Sequence, residues 1–463
     1  MEMNEKRAKM MGEENISKLL MKLGLPAILA MLVNAIYNVV DTMFVGMLNN
    51  TSAIAAVSVV FPIFMLIGAV GLTFGVGAAS YISRLLGENN KLQADKSAST
   101  AFFSSLLSGI IFAIIGLIFI RPILKAFGAT DTIIPYAIDY ARILISGSIF
   151  TMLNMTMNNM IRAEGNAKYS MIGIMMGAIF NIVLDPIFMF KFNMGIKGAA
   201  LATVIAQIFS FIYLLRYYLF DKSYVKISIK YIKISKKIYG EIMKIGTPTF
   251  ARQFLTSMAF GMINLGAKPY GDGAVAAIGI TMRVISIGYF VVFGYSQGFQ
   301  PVAGYNYGAR KYERMFESIK KSIVWTTIFT SSLALVFALG AKGIIGVFSD
   351  DPQVIEVGVK ALKYLCLFYP LFGYQNVNAT LFQALGKGRE AMILSISRQG
   401  LFLMPAVWIL PKFFGLDGVL ISQPVADLLT IIVTFVLSTR TMKSLKEECK
   451  NYNISSNNTV TVN

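Results

Sequence analysis

Histidine is absent from this 463-residue chain, cysteine and tryptophan each occur only twice, and charged residues make up only 14% of it. Without histidine, the commonest metal ligand and proton shuttle is missing. Cys366 falls in an apolar stretch and Cys449 in a polar tail, so neither a disulfide framework nor a CxxC metal site is supported. The scarcity of charge, with 56% hydrophobic residues and a mean hydropathy of +0.63, excludes an ordinary soluble domain. A bilayer core takes about 20 apolar residues per helical span. The length therefore accommodates roughly a dozen spans and leaves no room for a large soluble catalytic domain. No GxxxxGK[ST] phosphate loop and no His-based metal motif occurs, which speaks against an enzyme and against ATP as the direct energy source.

What is present is a series of apolar stretches, at 18–47, 53–81, 97–119, 133–160, 168–190 and 196–218, then at 241–267, 274–303, 318–340, 356–385, 390–411 and 416–440. The polar opening, without a small-residue cleavage site behind the first span, reads as a retained cytoplasmic segment. Lys and Arg cluster at the amino terminus and in alternate loops, as at Arg310, Lys311, Arg314, Lys320 and Lys321. That parity places both termini in the cytoplasm and makes most of the +18 net charge topogenic rather than a nucleic-acid footprint.

The chain is internally doubled. "LLMKLGLPA" at Leu19 returns as "EIMKIGTPT" at Glu241, "AIAAV" at Ala53 as "AVAAI" at Ala274, "RAEGNAKYSM" at Arg162 as "QALGKGREAM" at Gln383, and "GIKGAALATVIAQ" at Gly195 as "GLDGVLISQPVAD" at Gly415. An even number of spans per repeat gives both copies the same entry side, hence a pseudo-twofold axis along the membrane normal. The expected fold is all-α: twelve transmembrane helices in two six-helix lobes around a central cavity. The divisions are a cytoplasmic segment 1–17, a first lobe 18–218, a cytoplasmic linker 219–240, a second lobe 241–440 and a cytoplasmic tail 441–463.

Charges within spans are costly and presumed functional or paired. Counting 1.5 Å per helical residue from the outer ends puts Asp41 and Asp185 about 9 Å deep. Thr203 and Tyr140 reach a similar level on other helices, and Asn181 shares a helical face with Asp185. Pro186 interrupts the backbone ladder beside Asp185 and frees a carbonyl oxygen. Two carboxylates with amide and hydroxyl oxygens suit a proton or a hard monovalent cation; helix capping is the bland alternative. Asn34 and Asn38 precede Asp41 as a polar stripe, and Pro26, mirrored by Pro248, marks a kink or hinge. Asp139 and Arg142 are spaced to neutralise one another. In the second half Ile263 stands where the repeat would place the counterpart of Asp41. There Arg252, Arg283 and Arg398, with Asp427, form either an ion-pair network or an anion-binding wall. Methionines crowd spans four and five at Met152, Met155, Met157, Met160, Met171, Met175 and Met176, which suits either an adaptable pocket or packing.

"LPAILAMLVNAIYNVVDTMFVG" from Leu25, the "RAEGNAKYSM" loop and "IFNIVLDPIF" from Ile179 resemble the multidrug and toxic compound extrusion (MATE) family, most of all its MepA-like bacterial branch. The resemblance spans all twelve stretches. It implies a monomeric antiporter of the bacterial plasma membrane, coupled to H+ or Na+, that expels amphipathic and mostly cationic drugs by alternating access. It implies no cofactor beyond the coupling ion. Carried over, the proton or Na+ site comprises Asp41, Asn181, Asp185 and Thr203 with Tyr140 nearby; Asn34 and Asn158 belong to the substrate pocket, and Pro26 is the hinge. Arg252, Arg283 and Arg398 are further pocket candidates. They also keep open a second reading, a flippase of a lipid-linked or anionic precursor in the wider superfamily.

Overall fold

A computed structural model describes residues 2–48, 50–220 and 223–460. It is helical throughout, with the elements α1 (Glu2–Glu13), α2 (Ile16–Gly46), α3 (Thr51–Gly87), α4 (Lys91–Ile118), α5 (Ile120–Ala126), α6 (Ile134–Ser146), α7 (Ser148–Ala163), α8 (Ala167–Pro186) and α9 (Ile196–Leu219) in the first half. The second half holds α10 (Lys236–Ala267), α11 (Asp272–Gly308), α12 (Tyr312–Gly346), α13 (Pro352–Ala384), α14 (Gly388–Ile396), α15 (Met404–Phe414) and α16 (Leu416–Val460). Nine described helical stretches are long and apolar enough to cross a membrane. The other expected stretches fall on α10, α13 and the pair α6–α7, which divides at Gly147 where the sequence suggested one continuous span.

Side-chain caps set the helix starts. Asn15, Asn50, Asn90 and Asn166 each accept a hydrogen bond from a backbone N–H in the first turn of α2, α3, α4 and α8, and Ser235 and Asp351 do the same for α10 and α13. Because Ser235 is the cap, α10 begins inside the stretch expected to be linker. The duplication is also written in the backbone. Left-handed residues recur at Asn89 and Arg310, at Gly165 and Gly386, and at Gly195 and Gly415, with spacings of the sequence repeat. The turns after α3 and α11 close alike, Asn90 N–H on the Leu85 carbonyl and Lys311 N–H on the Asn306 carbonyl.

Packing differs between the two ends of the bundle. At the end that carries the termini, one core joins both halves, with Leu19, Leu23, Ala78 and Ile82 packed among Phe299, Val302, Ala303 and Leu381. At the other end the cores are separate: Val45, Ala56, Leu144 and Ala200 belong to a first-half cluster, Ile285, Phe337 and Leu362 to a second-half one. Glycine permits the shared contact. A Cβ on Gly298 would stand 2.5 Å from the Gly24 nitrogen, and one on Gly246 2.5 Å from the Thr73 carbonyl oxygen. The two halves are thus clasped at one end, with separate cores at the other.

Candidate functional site

α2, α6, α8 and α9 converge in the first half on the groups that the sequence placed at one depth. Asp185 and Asn181 are buried on α8, one turn apart, and Thr203 faces them from α9. Asn181 bridges the two: its amide nitrogen donates to Asp185 Oδ2 at 2.8 Å while its oxygen accepts from the Thr203 hydroxyl at 3.1 Å. Asp41 on α2 lies within hydrogen-bonding reach of Asp185. Its Oδ1 is buried without a hydrogen-bond partner. Two carboxyl groups in contact require a proton or a cation between them, since adjacent anions in a desolvated site repel. Tyr140, buried on α6, is near enough to both carboxylates to feel their charge. After Pro186 the backbone widens into a π-turn over Ile187–Lys191, a local unwinding common at functional sites.

Beside this cluster lies an open cavity, spanning about 700 Å3 with open solvent included, with Asn34, Tyr37, Asn154, Asn158, Asn181 and Thr203 among its lining. Asp41 and Asp185 do not line it. They meet it through Asn181 and Thr203, and Tyr37 stands in the same lining. Tyr37 was not anticipated, although it falls between Asn34 and Asp41 at helical spacing and so on the same face. Asn38 is instead exposed and donates to its own helix, to the Asn34 carbonyl. On α7 the inward stripe repeats every fourth residue as Asn154, Asn158 and Arg162, of which only Asn158 was foreseen as a pocket residue. Among the methionines, Met155 and Met31 face the cavity, whereas Met152, Met157 and Met160 are core.

The second half is built differently. Arg398, inside a second π-turn at Ser397–Leu403, donates through Nε to Asp427 Oδ1 at 2.7 Å and through Nη2 to the Tyr289 hydroxyl at 3.1 Å. Gln423 donates to the same Asp427 oxygen, and Phe372 lies under the guanidinium at 5.0 Å. The expected network of three arginines is therefore a single pair. Arg283 is exposed, and Arg252 stacks on Phe293 at 5.5 Å with no carboxylate within 4.0 Å among the described residues. Asp139 likewise pairs with Lys197 at 3.0 Å rather than with Arg142, because the Lys197 ammonium comes from the start of α9.

Comparison with known proteins points the same way. The MatE family profile matches residues 26–187 and again residues 248–409, two copies starting 222 residues apart. The multidrug export protein MepA of Staphylococcus haemolyticus is 32% identical over 432 residues, covering 92% of this chain and 95% of that protein. A multidrug resistance MATE family transporter solved in an outward-facing conformation superposes with a TM-score of 0.90 at 27% identity, covering 96% of this chain and 99% of that one. A MATE structure in a straight conformation gives 0.89 at 28% identity, with the same coverage.

Proposed function

The chain belongs to the MatE family, a family of multi-pass membrane transporters rather than enzymes, and on that premise we propose that it is a drug/cation antiporter working by alternating access. MATE antiporters are ion-coupled. In this reading H+ or Na+ binds among Asp41, Asn181, Asp185 and Thr203, and amphipathic, mostly cationic substrates bind in the adjoining cavity. Residues 18–218 and 241–440 form the rocking lobes, Pro26 is the hinge, and the monomer sits in the bacterial plasma membrane with both termini in the cytoplasm.

One observation carries the proposal: two contacting carboxyl groups, one with a buried unpartnered oxygen, joined to the cavity by the Asn181–Thr203 bridge. Coupling requires that each ligand bind the two access states unequally. A cation at the carboxylates changes what Asn181 and Thr203 must balance, and those same side chains form the cavity wall. The arrangement clasped at the terminal end is the state open to the outside, from which substrate leaves as the cation enters.

Purified protein in proteoliposomes, under separately imposed Na+ and proton gradients, tests this with ethidium as cargo. One of the two gradients drives export by the native protein, and Asp41→Asn and Asp185→Asn each abolish it. Gradient-driven transport that survives both substitutions would sink the assignment.

A further inference from the structure

Arg162 is only 6% exposed, at the terminal end of the same cavity. Its Nη1 donates to Ser170 Oγ at 3.0 Å and its Nη2 to Asn159 Oδ1 at 2.8 Å, both uncharged acceptors. Guanidinium has five N–H donors, and no carboxylate lies within 4.0 Å of this one among the described residues. Glu164, two residues on, is committed elsewhere, to Tyr217, Ser223 and the Tyr224 N–H. The surroundings are amides rather than acids. A small cleft at this end brings Arg162, Asn159, Gln297 and Gln300 together, and the Gln300 amide nitrogen, also buried, has no hydrogen-bond partner. Gln297 Oε1 is a buried unpartnered acceptor beside them.

A buried cation left without a counter-charge is costly, and removing an anionic partner from such a site typically destabilises it strongly. Here the cost is met in a cavity wall, where a ligand can supply the missing charge. We propose that Arg162, with the Gln300 amide, is an anion subsite that receives the carboxylate of a zwitterionic amphiphilic substrate. Along α8, Ser170 beside Arg162 and Asn181 beside the acidic pair are eleven residues apart, about 16 Å. The cavity is therefore bipolar, with a cation-binding pole at Asp41 and Asp185 and an anion-binding pole at Arg162. A zwitterion held by its carboxylate at the second pole turns its cationic group toward the first, where it and the coupling ion alternate as exchange requires.

The inference rests on the cavity being the drug site. Rhodamine 110, which carries a free carboxylate, and rhodamine 123, its methyl ester, separate the two ideas. Binding of each dye is measured by fluorescence polarisation on the purified full-length protein. In the native protein benzoate displaces rhodamine 110 far more readily than rhodamine 123, and Arg162→Gln lowers the ratio of rhodamine 110 to rhodamine 123 affinity about tenfold or more, with Arg162→Lys in between. An unchanged ratio in Arg162→Gln, or equal displacement of both dyes by benzoate, overturns the anion subsite alone. Failure of the native protein to bind either dye overturns the cavity reading with it. The benzoate arm needs no variant, so a misfolded Arg162→Gln leaves the proposal open to refutation.

Discussion

Replacing Glu164 by glutamine should flatten a pH dependence of stability that the fold builds into its terminal face. Glu164 follows α7, outside the spanning helices, and is only 3% exposed. Burial pushes its carboxyl up from 4.5 to about 7, against the hydrogen bonds from Ser223, the Tyr224 N–H and Tyr217 and the nearby charge of Arg7, which favour the anion. An acid whose folded value lies above its unfolded value holds its proton more tightly in the native state. Its contribution to stability is therefore complete below about pH 4.5 and is lost as pH rises to about 7, with no further change above. Each pH unit across that interval is worth about 1.4 kcal/mol, so the native protein loses about 3 kcal/mol through this one group. Denaturant unfolding in detergent, followed through Trp325 and Trp408, would measure it for both proteins at pH 4.5 and pH 8. The native protein should lose about 3 kcal/mol more than Glu164→Gln over that range. Equal losses would show that the carboxyl is effectively solvated and the burial argument mistaken. Arg7 supplies a second handle, since its guanidinium also donates to the Tyr217 hydroxyl at 2.7 Å, which in turn donates to Glu164 at 2.9 Å. Arg7→Gln should raise the carboxyl's midpoint further.

Two more outcomes follow from the packing. Asp427→Leu strips the partly buried Arg398 of its carboxylate and should cost about 3 kcal/mol, much of it recovered in Asp427→Leu with Arg398→Met; thermal unfolding that ranks the double variant no better than the single one refutes the pair as a neutralising unit. Gly298→Ala forces apart the α2–α11 contact, where the new Cβ would meet the Gly24 nitrogen at 2.5 Å. In the proposed alternating-access cycle, overpacking of about 1–3 kcal/mol should shift the equilibrium by about 5- to 150-fold away from the clasped arrangement. With Cys366 and Cys449 replaced by serine and Ala303 by cysteine, maleimide labelling from the terminal side should accelerate accordingly, and an unchanged rate contradicts it.

The sequence pattern was legible where one dimension suffices. Hydropathy located the passes, and the repeat offsets that tied Leu19 to Glu241 reappear in the left-handed turns at Asn89 and Arg310. Asp41, Asn181, Asp185 and Thr203 could be grouped because depth along a helix is simple arithmetic at 1.5 Å per residue. Rotation about the axis was harder. Asn38 looked equivalent to Asn34, yet Tyr37 occupies the inward position and Asn38 satisfies itself on its own backbone. Partner choice across helices was not accessible at all: Asp139 has Arg142 three residues away but takes Lys197, delivered by a different helix. Arg162 was hidden for a related reason. It opens a loop motif, so sequence assigned it to the boundary, whereas its position four residues after Asn158 turns it into the cavity wall.

The duplicated backbone carries two different electrostatic solutions. In the second half the deeply placed carboxylate Asp427 has a tethered cation at 2.7 Å and an amide donor besides, so its charge is balanced by groups of the chain itself. In the first half the two carboxylates meet each other and a neutral amide, with no tethered cation within 4.0 Å among the described residues. In the proposed coupling, balance there comes from an ion that binds and leaves. The scarcity of charge is what makes this proposed coupling effective, because a fixed lysine or arginine near Asp41 would remove the differential affinity on which exchange depends. Ile263 at the repeat position of Asp41 fits the same logic: a second mobile-ion site would divide the proposed coupling between lobes, and Arg398 instead neutralises Asp427.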